Sequence, residues 1–437
     1  MVQAVRGMRD VLPLEARRWR QIENTVHQIM QQFAYEEIHL PLLEFTELFA
    51  RGVGEATDIV EKEMYTLADR DGDSLSLRPE GTASCVRALQ ENGLLYNQTQ
   101  KVFYAGPMFR YEKPQKGRYR QFYQIGAEAF GYTGPDIDAE LILLAAEFWR
   151  ALGLEERVRL EVNTLGSYDA RQAYRSALVD YLQPHAAELD DDSRRRLKTN
   201  PLRILDSKNA QTQALLATAP QLPEFIDDES QAHYAGLLAL LDDLGISYTT
   251  NSNLVRGLDY YTHTVFEWIT DDLGAQGAVC AGGRYNGLVE RLGGRAMPAA
   301  GFAMGLDRVL LLHEVVHQNA VGSAVDIYVC HAGDELASEA QQLGHRLRRA
   351  IARRVDSSAT CGNTNTVKVR VNMGGGNLKK QMKRADTSAA TWAVLIGAEE
   401  MQSGVLTIKN LRDGQQRQLA EADFVEHVLL AKHINSD

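Results

Sequence analysis

No stretch of the sequence stays apolar for long. Charged residues interrupt every hydrophobic run well short of the roughly 18 residues that a membrane-spanning helix needs, so no membrane partner is expected. The first residues, MVQAVRGMRDVLPLEARR, lack the apolar centre of a secretory leader, which makes the cytoplasm the expected compartment. Cysteine is scarce. Cys85, Cys280, Cys330 and Cys361 lie far apart with no Cys-x-x-Cys spacing, which argues against a disulfide framework and against a structural zinc site. Reduced, mostly buried thiols are expected. Positive charge is also in deficit, at a net −11, a poor match to a protein that coats nucleic acid indiscriminately. The deficit is uneven: from Val325 onward 15 Lys and Arg meet 13 Asp and Glu, a net +2, leaving −13 for everything before.

What is present is ordinary in amount. Hydrophobic residues at 44% and charged residues at 24% fit a globular chain, and 437 residues exceed what one core usually serves, so two or three domains are expected. Residues 15–35 place Trp19, Ile22, Val26, Ile29, Met30 and Phe33 at spacings of three and four, the stripe of an amphipathic helix. EIHLPLLEF then alternates like a strand; Pro41 cannot donate to a ladder, which puts that strand at an edge or a partner interface. DSLSLRPEGTASCVRAL alternates, breaks at Pro79 and turns helical after Thr82, a fitting cap.

Residues 101–130 read as two antiparallel strands joined by a long basic loop. On the returning strand Tyr123, Ile125, Ala127 and Ala129 suit a core, whereas Phe122, Gln124, Gly126 and Glu128 suit the floor of a small-molecule site. A solvated outer face alternates in the same way, but glycine in mid-strand weakens a sheet unless something must approach closely. Residues 167–247 become helical between polar turns, as an inserted module would. Strands resume with LVRGLDYYTHTVFEW (Leu254–Trp268) and GAVCAGGRYNGL, and AAGFAMGLDRVLLLHEVV places Arg308 in the first turn of a helix, where anions are already attracted. Beyond HQNAVGSA, strands and helices alternate as in a small separate α/β domain. Its basic stretches RLRRAIARR and GGGNLKKQMKRAD fit RNA backbone contact or a charged helix face, and the Gly-Lys-Ser/Thr ending of a nucleotide P-loop is missing. The register of residues 355–373 is not set by pattern.

The order of these pieces, a proline-bearing strand, RPEGT, FRYE, a basic hairpin loop and a late GFAMGLDR, resembles the class II aminoacyl-tRNA synthetases. RGLDYY together with GAEAFG is similar to the histidyl-tRNA synthetase family, and the resemblance spans nearly the whole chain. It implies an α+β fold: a catalytic core of antiparallel sheet flanked by helices, split into 1–166 and 248–320, with a helical insertion at 167–247 and an α/β anticodon-binding domain at 325–437. It implies histidine–tRNA ligation. Histidine is activated by ATP to the adenylate with release of pyrophosphate, then passed to the 3′ end of tRNA(His). Expected partners are L-histidine, ATP with Mg²⁺, tRNA(His) and a second copy of the chain in a homodimer; the metal ligands are left open.

The resemblance assigns roles by position. Arg110 and Arg256 would flank the α-phosphate as the catalytic cations, since fixed positive charge suits a reaction between two anions. Glu80, Gly81, Thr82 and Gln124 would receive the ammonium end of histidine, and Glu128, Tyr260 and Tyr261 its imidazole. Glu112, Phe122, Arg118 and Arg308, with Arg110, would hold ATP, and Lys113, Gln115, Lys116 and Arg120 would grip the tRNA acceptor end. Tyr111 and Lys113 stand where close relatives carry His and Arg, and Lys offers no bidentate fork. The alternative from another class is a non-aminoacylating regulatory subunit of ATP phosphoribosyltransferase built on the same core. Such relatives lack the anticodon domain, whereas 113 residues follow Ala324 here.

Overall fold

The amphipathic stripe folds as α1 (Pro13–Gln32), with Ile22, Val26 and Met30 fully buried. Each such side chain is worth about 1.5–3 kcal/mol when taken from water, which is why the stripe decides the orientation of the helix. The structure, a computed structural model, describes residues 2–55, 57–205, 207, 209–255, 257–274, 277–317, 324–357 and 367–434. Two units separate, Met1–Asn319 and Ala320–Asp437.

In the first unit the segment around Pro41 is not one strand, as its alternation suggests, but two. β1 (Glu36–Glu37) and β2 (Leu43–Phe45) join different sheets. Pro41 has no N–H for a ladder, and the carbonyls of Leu40 and Pro41 accept instead from Arg78 Nη1 at 2.9 and 3.4 Å. After α2 (Thr46–Val53), β3 (Tyr65–Ala68) and β4 (Ser74–Leu77) complete a three-stranded antiparallel sheet in the order β2-β4-β3.

α3 (Thr82–Glu91) does start at Thr82, but Thr82 is not its cap. The Glu80 carboxylate accepts from the amides of Thr82 and Ala83 at 2.8 and 2.9 Å, and an anion suits the positive end of a helix better than a hydroxyl does. The Thr82 hydroxyl is thereby released for other use.

β5 (Gln100–Phe109) and β6 (Gln121–Phe130) form the expected hairpin, in register from Gln100↔Phe130 to Phe109↔Gln121. α4 (Pro135–Ala151) and β7 (Arg159–Thr164) follow, then four helices, α5 (Tyr168–Leu182), α6 (Asp191–Thr199), α7 (Ala210–Leu216) and α8 (Asp228–Asp243). β8 (Tyr248–Thr250), β9 (Thr262–Ile269), β10 (Ala278–Arg284), α9 (Leu288–Arg291), β11 (Ala299–Gly305) and α10 (Leu306–Val316) close the unit. Its main sheet has eight strands in the order β1-β5-β6-β11-β10-β9-β7-β8, antiparallel except at the two edges, where β1–β5 and β7–β8 are parallel. Ile125 and Ala127 pack with α1, α4 and α10 on one face. The opposite face carries the site.

The second unit has its own core around a five-stranded sheet. β12 (Ile327–His331), α11 (Ala337–Ser357), β13 (Val369–Val371), α12 (Leu378–Thr387), β14 (Trp392–Ile396), α13 (Ala398–Ser403), β15 (Val405–Asn410), β16 (Gln416–Ala420) and α14 (Glu421–Ile434) follow one another in an α/β pattern. β13 pairs in parallel with β12 through Ile327↔Val369, which sets the register that the sequence leaves open on that side of residues 358–366. Those nine residues lie outside the described residues, and with them Cys361. Cys85, Cys280 and Cys330 are buried and in no disulfide among the described residues. Among the described residues no helix is long and apolar enough to cross a membrane.

Candidate active site

A cavity of about 210 Å³ opens on the sheet face that carries Phe122 and Gln124, between the start of α3, the β5–β6 loop, the Tyr260–Tyr261 pair and the start of α10. It has an acidic, aromatic end and a cationic end.

The acidic end is built from below. Glu128, only 1% exposed, receives three hydroxyl donors: Thr82 Oγ at 2.7 Å and Tyr104 at 3.0 Å on Oε1, and Tyr285 on Oε2. Burial pushes its pKa up to about 8, against the pull of the Tyr285, Thr82 and Tyr104 hydroxyls. Burial also raises the phenols of Tyr104, Tyr260 and Tyr285 well above their usual range, so they remain donors. Glu128 itself does not line the cavity; its Oε2 lies where a Cβ on Gly301 would stand. A direct bond from a bound ring to Glu128 therefore requires a hydroxyl to give way.

Tyr260 and Tyr261 are both buried, at 3% and 5%. Their rings stand 4.8 Å apart, and the Tyr285 ring lies 5.4 Å from the first and 6.3 Å from the second. Three aromatic faces thus wall the pocket.

Tyr104 and Tyr285 are the site residues that sequence reasoning missed. What approaches mid-strand Gly126 is the Tyr104 ring, not a ligand. Tyr104 is its cross-strand partner, and a Cβ on Gly126 would fall 2.3 Å from Tyr104 Cζ. Gly81 lies against the same ring, where a Cβ would fall 2.2 Å from Cε2. The signal was available: hairpin pairing counted from the loop sets an aromatic directly opposite a glycine.

Above this layer, Glu80 is 4% exposed and its pKa is raised by burial, with the amides of Ala83 and Thr82 opposing. Gln124 lines the cavity with its Oε1 buried and, among the described residues, without a hydrogen-bond donor. An orphaned acceptor beside a buried carboxylate is a prepared place for a cation or an N–H group.

At the cationic end, Arg110 Nε donates to Pro79 O at 2.9 Å and its guanidinium stands 5.3 Å from the Phe122 ring centre. Burial pulls its pKa down while Glu63 and Glu80 hold it up. Arg118 pairs with Glu112, and Arg308 donates to Gly117 O at 3.2 Å and Ala278 O at 2.6 Å. Phe122, Arg118, Glu112 and Arg308 all face the same space. Arg256 lies outside the described residues, so the expected second cation is not placed.

On the loop, Lys113, Gln115 and Lys116 are exposed. Arg120 is turned inward, 3.7 Å over the Tyr111 ring with Nε on Glu112 O at 3.1 Å; it shapes the loop instead of standing free.

In the second unit, Arg370, Lys380, Lys383 and Arg384 line a basic groove with Thr387 and Ser388. The Asn377 side chain accepts from Lys380 N at 3.0 Å and occupies the start of α12.

Comparison with known proteins agrees with this geometry. Residues 7–309 match the family model of histidyl-tRNA synthetase, and residues 325–430 that of an anticodon binding domain. The apo histidyl-tRNA synthetase of S. aureus is 35% identical over 98% of this chain and 100% of its own, with a TM-score of 0.78. That of Nostoc sp. is 19% identical (98% and 99% covered, TM-score 0.70). An ATP phosphoribosyltransferase regulatory subunit/histidyl-tRNA synthetase from Bacillus halodurans C is 22% identical (91% and 98% covered, TM-score 0.61). The last two likenesses show the fold alone.

Proposed function

The chain belongs to the histidyl-tRNA synthetase family, and from that premise we propose how its site divides the work of a histidine–tRNA ligase. Its reaction uses ATP to join histidine to tRNA. One observation carries the assignment of residues: a single cavity has a carboxylate-and-phenol end and a guanidinium-and-phenyl end, which matches an amino acid laid against a nucleotide.

The ammonium group of histidine goes to Glu80, Gln124 Oε1 and the rim formed by Gly81 and Thr82. The imidazole lies among Tyr260, Tyr261 and Tyr285, with one ring nitrogen donating to Glu128 as a hydroxyl gives way and the other meeting the Tyr261 hydroxyl. Paired polar groups of this kind reject ligands that cannot satisfy them, by roughly 10⁴-fold where burial is complete. Arg110 draws the histidine carboxylate to the α-phosphate and spreads the charge that forms as the carboxylate oxygen attacks phosphorus and the bond to pyrophosphate breaks. Arg256 is proposed for the opposite side of that phosphate by its place in RGLDYY. Phe122 stacks the adenine with Arg308 above it, and Glu112 takes its amino group when Arg118 leaves it for the outer phosphates. Mg²⁺ arrives as part of the ATP complex, carried on those phosphates.

In the second step a ribose hydroxyl of the tRNA attacks the adenylate's carbonyl carbon, releasing AMP. Lys113, Gln115 and Lys116 hold the acceptor end, the helices of 167–247 lean on its stem, and the basic groove along α12 takes the anticodon arm. A homodimer is proposed through the β2-β4-β3 sheet, where Leu42 and Leu43 at 43%, Phe45 at 59% and Leu67 at 45% leave an apolar patch in water. The cytoplasm is the proposed compartment.

The regulatory-subunit reading is weaker, because the chain carries the anticodon binding domain and the complete acidic end. ATP–pyrophosphate exchange tests the choice. Exchange should depend on histidine, and equal rates with threonine or proline, or none at all with Mg²⁺ present, would overturn it.

A further inference from the structure

The segment ahead of α1 carries nothing that sequence reasoning singled out, yet it touches the ATP end of the site twice. Asp307, 5% exposed, stands just past β11 at the first turn of α10. Its two oxygens are used differently. Oδ2 accepts from the amide of Tyr123 at 2.8 Å, continuing the β6–β11 pairing one step beyond Gln124↔Gly305. Oδ1 accepts from Arg9 Nη2 at 2.8 Å, and Arg9 also pairs with Glu15. The Arg9 guanidinium lies 4.8 Å over the ring of Tyr119, which with Asp307 and Arg308 lines the cavity.

The second contact is through Gly7. Its carbonyl accepts from Arg120 N at 2.8 Å, and the carbonyl of Arg6 from Arg120 Nη1 at 3.4 Å. Gly7 has φ +85°, and a Cβ there would meet Arg120 Cγ at 2.8 Å and Pro114 Cγ at 2.9 Å. The backbone thus lies flush against the base of the β5–β6 loop.

We propose that residues 6–9 are a working strap of the nucleotide site, in which Arg9 is a positioning residue that neutralises Asp307 while Gly7 seats the loop bearing Arg118. Without Arg9 a buried carboxylate faces the space into which triphosphate must come, beside Arg308, whose charge it would cancel. With Arg9, which it shares with Glu15, the carboxylate is paired and serves as an anchor between β6 and α10. The proposal rests on the nucleotide reading of the cationic end.

Pyrophosphate exchange with ATP and histidine titrated separately tests it. Arg9→Ala should raise the ATP KM roughly tenfold or more, with the histidine KM changed less than about twofold, as loss of a charge-assisted bond at one end predicts. Arg9→Lys should recover part of the loss, because it restores charge without the fork. Arg9→Ala combined with Asp307→Asn should restore ATP affinity further, since the amide still accepts from Tyr123 and leaves no stranded charge. Gly7→Ala should raise the ATP KM by the other route while keeping Arg9. Equal effects on both substrates, or a double variant worse than Arg9→Ala, would overturn the strap. If the unaltered chain gave no exchange, the nucleotide reading itself would have failed.

Discussion

Gly126→Ala is the sharpest way to perturb the acidic end without touching a polar group. The added methyl would stand 2.3 Å from Tyr104 Cζ and 2.4 Å from its hydroxyl. The ring is 1% exposed and also lies against Gly81, so it has to tilt, and overpacking of this kind costs about 1–3 kcal/mol. Tilting carries the hydroxyl away from Glu128, to which it now donates at 3.0 Å. With the Glu128 pKa pushed up to about 8, the bond at neutral pH is to an uncharged carboxyl, worth about 0.5–1.5 kcal/mol, which corresponds to roughly two- to tenfold in affinity.

Pyrophosphate exchange should therefore show the histidine KM rising by about that factor, with the ATP KM within about twofold, because Arg110 and Phe122 do not touch Tyr104's hydroxyl. Tyr104→Phe keeps the ring and should reproduce the hydroxyl part of the loss with little change in thermal midpoint. An unchanged histidine KM in Gly126→Ala, or a parallel rise for ATP, would show that the Tyr104–Glu128 contact does not support histidine recognition.

Three further outcomes follow from the geometry. Arg110→Lys removes the Nε bond to Pro79 O and the flat face over Phe122, and should lower the exchange rate about a hundredfold while equilibrium dialysis finds histidine still bound; proportional loss of both would contradict a role at the phosphate. Glu128 titrates near 8 in the folded chain against 4.5 unfolded, so the folded state favours the proton, and stability should be full below about pH 4.5 and decline as pH rises towards 8. Glu128→Gln should flatten that decline in urea midpoints, and an identical slope in both proteins would refute it. Asp190 caps α6 through Ser193 N at 2.9 Å and takes hydroxyls from Ser193, Ser207 and Thr212, which hold its pKa far below the usual carboxylate range; its contribution is present above the unfolded value and lost as pH falls. Asp190→Ala should cost about 2 kcal/mol and speed amide exchange across α6 and α7, and unaltered exchange there would count against it.

Local pattern was enough for much of the architecture. The α1 stripe, the β5–β6 hairpin with its two unlike faces, the start of α10 with Arg308 in its first turn and the alternation of the second unit are all written in the spacing of apolar residues, because burial acts on each helix or strand face as a whole. Motif order carried the family. Where two local rules competed, pattern failed. The Pro41 segment alternates like a strand, but a missing N–H and the reach of Arg78 split it, and Thr82 looks like a cap until the carboxylate of Glu80 takes the helix end.

What the tertiary structure alone decided is which groups meet across long sequence separations. Tyr285 reaches Glu128 over 157 residues and Arg9 reaches Asp307 over 298. Nothing in a tyrosine's or an arginine's neighbours along the chain records such a partner. Side-chain hydrogen bonds depend on distances of a fraction of an ångström, set only when the sheet has closed and its faces have packed.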